Sequence, residues 1–238
     1  MAAQKRTEMI QQSKQDAIQY WNQMRLDEGF SCPNVSLFRF LGYGGVSLKD
    51  KNVLEIGFGG NRGKDLIECG TRGAKIYGVD ISHSYIENFQ STYPTVPTKL
   101  MNAGTDEFPF GVNFDLIFHR DVIYYLTDEQ IEFHIKKSYA NLNRGGYLAF
   151  QFIENDLTID AENCSQNSKR VNFDRLKTAS TEKMFRAEVN PLRILDIDKL
   201  ILKAQKIGFY LISTKTHIES YTPNESVFRI DRYLLLKK

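Results

Sequence analysis

Apolar and polar positions change their spacing several times along the chain, and these changes outline the expected elements. Near the amino terminus, apolar residues recur at helical spacing and predict a first helix over roughly 5–27. Its apolar face would consist of Ile10, Ala17, Trp21 and Met24. The next stretch, SCPNVSLFRFLGYGG, predicts a turn, a short helix and a glycine-rich exit.

Strand-like and helix-like segments alternate from Val53 onward. Five apolar runs have the length of buried strands, and they read NVLEIG, AKIYGVD, TKLMNA, FDLIFH and GYLAFQFI. Helical patterns separate most of them, at 61–71, in SHSYIENFQSTY after the candidate N-cap Ser82, and in TDEQIEFHIKKSYANLN. This alternation predicts a mostly parallel sheet covered by helices on both faces, with ligands at the carboxyl ends of the strands.

The last part of the chain breaks the alternation. An irregular polar stretch at about 154–195 precedes a helix in DIDKLILKAQKIG, and two β-rich runs, FYLISTKTH and VFRIDRYLLLKK, follow it. No helix separates these two runs, so we expect them to pair antiparallel at one sheet edge, since a parallel pair needs a longer crossover. The 154–195 insertion leaves the carboxyl end of the fifth strand and is therefore expected to lie over the ligand side.

Charge and cysteine content narrow the function classes. The 31 basic and 29 acidic residues nearly cancel, so we expect neither nucleic acid nor an anionic membrane as partner. Cys32, Cys69 and Cys164 are widely spaced, without CxxC or a nearby His, which predicts neither a disulfide framework nor a metal site. The amino terminus is polar and no apolar run reaches 18 residues, so we expect a cytoplasmic protein without signal peptide or membrane span. Monomer and homodimer both stay open.

The stretch KNVLEIGFGGNRGKDLIECG has the form of a strand, a glycine-rich turn and a helix, which is typical of a site for a nucleotide-like ligand. Gly57 and Gly59 begin a dinucleotide-binding fingerprint, but Arg62 stands where its third small residue belongs. A phosphate-binding loop is also disfavoured, because Asp65 follows Gly63-Lys64 in place of Ser or Thr.

The arrangement Glu55-x-Gly57-x-Gly59-Gly60, with Asp80 at the end of the next strand, resembles class I S-adenosylmethionine (SAM)-dependent methyltransferases. FDLIFHRDVIYYLTD, LNRGGYLAF and the final RYLLLKK are similar to later segments of that family, so the resemblance covers about 50–153 and 196–238. It implies an α/β fold with a Rossmann-like, seven-stranded, mostly parallel sheet, an antiparallel edge strand and helices on both faces. We expect residues 1–50 to form a helical lid or substrate region, and 51–238 the methyltransferase domain.

The resemblance also implies roles for individual residues. The glycine turn would let the backbone approach the methionine part of SAM, Asp80 would bind both ribose hydroxyls, and Asn102 would meet the adenine. An ionised carboxylate offers two acceptor oxygens to two neighbouring hydroxyls, which supports Asp80, although Asp80 could instead cap the following helix. The predicted cofactor-binding residues are Glu55, Gly57, Gly59, Gly60, Asp80, Ile81, Asn102, Ala103 and Trp21. Trp21 is either part of a lid or a plain core residue.

Two residues at the end of the fourth strand are candidates for catalysis. A hydroxyl acceptor needs a base, and His119 ends this strand with an unperturbed pKa of about 6.5. Its alternative is a histidine hydrogen-bonded to the strand end. Asp121 follows two residues later and either contacts substrate or SAM, or pairs with Arg120.

The acceptor is narrowed by what this strand end lacks. His119-Arg120-Asp121-Val122 stands where adenine and glutamine methylases of the family carry an Asn/Asp-Pro-Pro-Tyr/Phe motif, and no Pro-Cys dipeptide of the cytosine C5 enzymes occurs. We therefore expect methyl transfer to an O or N atom of a small polar biosynthetic molecule, with sugars among the candidates. A protein or RNA methyltransferase and a non-catalytic SAM-binding partner subunit are the alternatives.

Overall fold

A computed structural model of the protein describes residues 33–153, 195–220 and 228–238. The predicted helix at 5–27, Trp21 and all but the last residue of the 154–195 insertion lie outside these ranges. Among the helices of the described ranges, none is long and apolar enough to cross a membrane.

Helix α1, Val35–Tyr43, confirms the short helix expected in this region. Asn34 caps it by accepting a hydrogen bond from the backbone N–H of Leu37, at 3.0 Å. Its apolar face packs against the sheet, in one cluster with Val53 and Tyr233. This part of the predicted 1–50 region thus belongs to the core, and the division into lid and domain otherwise stays a prediction.

In the part of the chain that the structure describes, seven strands form one sheet, as predicted. They are β1 Asn52–Ile56, β2 Lys75–Asp80, β3 Thr98–Leu100, β4 Phe114–Arg120, β5 Leu142–Ile153, β6 Tyr210–Ser220 and β7 Phe228–Lys237. Their order is β3-β2-β1-β4-β5-β7-β6, and neighbours are parallel from β3 to β5. β7 runs antiparallel to both β5 and β6, so the antiparallel strand is the second from the edge and β6 is outermost.

Helices cover both faces of this sheet. The other four α-helices of the described ranges are α2 Lys64–Thr71, α3 His83–Thr92, α4 Asp128–Asn141 and α5 Ile197–Ile207. α1 and Cys69 of α2 pack in one core cluster, whereas Ile131 and Ile135 of α4 and Leu200 of α5 pack in a second cluster on the other face. Strands β1, β4, β5 and β7 each contribute residues to both clusters, which is the consequence of their two-residue period.

The glycine turn differs from the single helix predicted over 61–71. A short 3-10 turn covers Phe58–Asn61, and α2 begins only at Lys64. Arg62 and Gly63 between them have left-handed φ values of 57° and 69°, which interrupt the right-handed helix. The remaining predicted helix starts agree with the structure, since Ser82 accepts from Tyr85 N and Thr127 forms a capping box with Gln130.

Candidate cofactor and active site

The glycine turn follows β1 directly and lies against the loop after β4. Gly57 has a left-handed φ of 75°, and its N–H donates to the carbonyl oxygen of Val79 at 2.7 Å. A Cβ on Gly57 would come within 2.4 Å of Val122 Cγ2, and one on Gly59 within 2.0 Å of the Tyr85 ring. These two positions accept glycine alone, because a side chain would push apart the elements that meet here.

Asp80 closes this turn from the end of β2. Its Oδ2 accepts the backbone N–H of Gly59 and its Oδ1 accepts that of Ser82, both at 2.9 Å. The carboxyl group is 5% exposed, and desolvation raises its pKa to about 6, against the lowering effect of hydrogen bonds from Ser82, Gly59 and Ile81. Two more of the predicted cofactor-binding residues lie here: Ile81 directly follows β2, and Gly60 lies in the 3-10 turn.

Asn102 lies beyond β3 and shapes its own loop. Its Oδ1 accepts the backbone N–H of Gly104 at 2.9 Å, and its own N–H donates to Asp106 Oδ2 at 3.0 Å. Asn102 and Ala103 are both buried, at 8% exposure each. The sheet order places this loop on the far side of Asp80 from the glycine turn, next to the end of β2.

Glu55 lies inside β1 and is 1% exposed. Its Oε2 makes no hydrogen bond with the described residues. Desolvation raises the pKa of Glu55 well above its ordinary value; Asp65 and Asp80 reinforce this effect, while Arg120 and the Leu66 N–H oppose it. The acid predicted for the cofactor site is thus buried among other charged groups.

His119 is buried at 1% exposure, on the sheet face opposite Glu55. Its ring lies 4.6 Å from that of Phe150 and 5.2 Å from that of His134, between centroids. Neither ring nitrogen has a hydrogen-bond partner among the described residues, and desolvation together with His134 lowers the pKa of His119 well below 6.5. The predicted hydrogen bond to the strand end is therefore not formed, and this burial favours a packing role over contact with an acceptor.

Asp121 stands just beyond β4, at the sheet edge that the glycine turn occupies. Its φ is 53°, and its N–H donates to the carbonyl oxygen of Gln151 at 2.9 Å. Asp121 is half-buried and acts electrostatically on Arg120. Because the next residue, Val122, contacts the turn at Gly57, Asp121 lies beside the candidate cofactor site.

A buried polar group at the same edge was not predicted from the sequence. Arg120 Nη1 pairs with Asp65 Oδ2 at 2.6 Å, and Arg120 Nε donates to Gln151 Oε1 at 2.8 Å. The available signals were Asp65 within an otherwise apolar helix face and Gln151 within the apolar run AFQFI. Only the strand register, which pairs Arg120 with Gln151, reveals that they meet.

The residues present fit SAM by their chemistry. SAM carries a sulfonium and an ammonium cation, and the carboxyl groups of Glu55 and Asp80 flank the turn where no Cβ fits at Gly57 and Gly59. A carboxylate has about four lone-pair sites, so the backbone donors of Gly59, Ile81 and Ser82 still leave Asp80 with acceptor capacity for a ribose hydroxyl. Within the described ranges, no group of three or more His, Cys, Asp or Glu is arranged to hold a metal ion.

Comparisons with known proteins agree with this geometry. Residues 53–146 match the family model described as a methyltransferase domain. A comparison with curated protein sequences gives no match.

Solved structures share the fold over most of the chain. A SAM-dependent methyltransferase from Mesorhizobium loti is 12% identical with a TM-score of 0.63, covering 86% of this chain and 99% of its own. A putative SAM-dependent methyltransferase from Listeria monocytogenes is 18% identical with a TM-score of 0.62, covering 84% and 97%. Magnesium protoporphyrin IX methyltransferase from Synechocystis, solved with bound S-adenosylhomocysteine (SAH), is 17% identical with a TM-score of 0.57, covering 85% and 80%. The domain match over 53–146, the strand order and the glycine turn closed by an acid all agree with the resemblance to class I SAM-dependent methyltransferases.

Proposed function

We propose that this methyltransferase transfers the methyl group of SAM to an O or N atom of a small polar biosynthetic molecule, with sugars among the candidates. The observation that carries the proposal is the meeting of the glycine turn, Asp80 and the loop after β4 at one sheet edge, through the Gly59–Asp80 hydrogen bond and the Gly57–Val122 contact. The near balance of acidic and basic residues supports a small acceptor over a nucleic acid.

The environment of Cys69, the cysteine of the described ranges, supports a direct transfer without a covalent enzyme intermediate. Cys69 is fully buried, and desolvation and Glu55 raise its pKa well above the ordinary value, so its thiolate is disfavoured. SAM supplies an electrophilic methyl carbon on a sulfonium. The protein then has to bind, align and desolvate the two reactants, and alignment alone can be worth about 7–11 kcal/mol.

Two acids of the site have separable roles in this proposal. Asp80 holds the ribose, and Asp121, at the end of β4, takes the proton of a hydroxyl acceptor. Asp121→Asn keeps the left-handed backbone conformation that Asn tolerates, and should lower kcat by about 10²- to 10⁴-fold for a hydroxyl acceptor while leaving SAH affinity unchanged. Transfer to a neutral amine would survive this change, so a retained kcat identifies N-methylation.

Thermal unfolding with SAH, SAM, NAD or NADP tests the cofactor site. At about 100 times its dissociation constant, a ligand of the native state adds about 2.7 kcal/mol, which should raise the midpoint by roughly 5–10 °C. We expect this rise with SAH and SAM, and its loss in Asp80→Ala. Ser84→Ala, a half-buried residue of the following helix, is the matched control and should keep the rise. A rise with NAD or NADP alone would contradict the proposal.

The acceptor class is tested by transfer of labelled methyl from SAM into two fractions of a cell extract. We expect label in the low-molecular-mass fraction. Label only in the dialysed macromolecular fraction would point to a protein or RNA acceptor. SAH binding without transfer into either fraction, together with a stable complex with another chain, would point to a non-catalytic partner subunit.

A further inference from the structure

Arg120 is the centre of a buried polar network beneath the candidate site. Its guanidinium is paired with Asp65 at 2.6 Å and donates through Nε to Gln151 at 2.8 Å. The Arg120 side chain is 13% exposed and that of Asp65 is fully buried. One side chain therefore joins the end of β4 to the end of β5 and to the first turn of α2, the helix that directly follows the glycine turn.

Asp65 extends this connection to a third part of the fold. Its second oxygen, Oδ1, accepts the backbone N–H of Asn34 at 2.7 Å. Asn34 caps α1 and also donates through Nδ2 to the Tyr233 hydroxyl of β7, at 3.3 Å. The position of Asp65, two residues after Gly63, is thus fixed through both of its carboxylate oxygens, and with it the first turn of α2.

Two buried polar atoms around this network lack a partner among the described residues: Glu55 Oε2 and Gln151 Nε2. Glu55 is faced by Asp65 and Cys69 of α2, by Asp80 of β2 and by Arg120 of β4. Arg120 is the cation of this set. It consequently opposes the repulsion that the two aspartates exert on an ionised Glu55.

We propose that Arg120 is a positioning residue for SAM, which acts through Asp65 to hold the glycine turn and serves as the cation that faces Glu55 beside it. The inference rests on the proposed function for the identity of the cofactor. It adds a residue that acts on the glycine turn through Asp65 and not by direct contact. Apolar residues of similar volume can often replace a buried ion pair without loss of stability. Stability alone therefore does not explain why Arg120 is buried at this position, whereas a role in binding does.

Calorimetric titration of SAH between pH 6 and 9 tests this inference with Arg120→Gln, Arg120→Lys and Asp65→Asn. The matched control is Arg72→Gln, which breaks the exposed Glu68–Arg72 pair associated with the same helix. We expect SAH to bind at least about 10-fold more weakly to Arg120→Gln, less weakly to Arg120→Lys, and within twofold of the unmutated protein to the control. The reason is that Arg120→Gln removes the charge-assisted hydrogen bond to Asp65, and a hydrogen bond with an ionised donor is stronger than one with a neutral donor.

The pH profile separates positioning from a merely structural role. Without Arg120, the negative charge of Asp65 acts on Glu55 without the opposing guanidinium, so Glu55 retains its proton to higher pH. SAH affinity of Arg120→Gln should therefore fall more steeply toward pH 6 than that of the unmutated protein. Asp65→Asn gives a second reading should Arg120→Gln fail to fold, with weaker SAH binding expected from the lost anchor.

Unchanged SAH affinity and an unchanged pH profile in folded Arg120→Gln, or in Asp65→Asn in its place, would overturn the inference even if the variant melts at a lower temperature. Absence of SAH binding by the unmutated protein would instead remove the proposed function, and the inference with it.

Discussion

His119 and Arg120 are consecutive residues of β4, yet they solve the burial of a titratable group in opposite ways. His119 faces the α4 side, where two imidazoles and Phe150 pack, and neither imidazole has a hydrogen-bond partner among the described residues. Arg120 faces the α2 side, where it pairs with Asp65 and donates to Gln151. An imidazole sheds its charge on burial and so tolerates an apolar site, whereas a guanidinium cannot be deprotonated and has to bring its counter-ion inside.

This contrast changes how the two residues relate to function. The pKa of His134 is lowered by desolvation to about 4, although the nearby Ala103 carbonyl offsets part of this shift, without the geometry of a hydrogen bond. Two neutral histidines then fill space beside the sheet. The charged side of the strand, in contrast, lies next to Glu55 and the helix after the glycine turn, where charge can act on a cationic cofactor.

Removing the guanidinium should have the largest effect on stability. Arg120→Leu leaves the carboxylate of Asp65 buried without its counter-ion, and we expect a loss of about 3–5 kcal/mol in the free energy of unfolding, measured by urea denaturation. Arg72→Leu, which removes an exposed pair, should cost about 0–1 kcal/mol. Equal losses in the two variants would mean that Asp65 and Arg120 do not interact as a buried pair.

The buried His134 should make the free energy of unfolding depend on pH. The folded pKa of His134, about 4, lies below its ordinary value of 6.5, so the unfolded chain binds more protons between these values and stability falls as pH falls from 6.5 to 4. Its contribution is about 3 kcal/mol, and His134→Leu should flatten the stability profile by that amount over this window.

Asp80 makes the free energy of unfolding depend on pH in the opposite direction, and this effect has to be separated from that of His134. Its folded pKa of about 6 is raised above the ordinary 3.8, so its contribution favours the folded state at low pH and is lost as pH rises from 4 to 6. Because Asp80 is present in both proteins, the difference between the profiles of the unmutated protein and His134→Leu isolates the histidine. A difference that does not change between pH 6.5 and 4 would contradict the assignment.

A smaller effect is expected from His119→Phe. An apolar ring removes two buried ring nitrogens that make no hydrogen bond with the described residues, which should stabilise the fold by about 1 kcal/mol. We also expect kcat to stay within about threefold, since a lost general base would cost about 10²- to 10⁴-fold. A hundredfold fall in kcat with retained SAH binding would show that His119 reaches the acceptor after all, as its position at the strand end first indicated.

Much of the fold was predictable because local patterns and tertiary pairing agree. The apolar runs from Val53 to Ile153 became strands, and the cap residues Ser82 and Thr127 begin helices where their side chains predicted. The break at Arg62 and Gly63 was missed, since a left-handed φ at an arginine is imposed by the turn around it and has no signal in the residue itself.

The amino-acid sequence by itself determined the strand succession, the glycine turn and the acid at its edge, because each depends on residues close together in the chain. Only the tertiary structure decided that Asp65, Arg120 and Gln151 meet and that Asp80 closes the turn through Gly59, since these contacts join different elements. It also decided which side of β4 carries charge. A two-residue period sends neighbouring side chains to opposite faces, but the environment on each face is built by helices distant in sequence, and that environment sets whether a buried group keeps its proton.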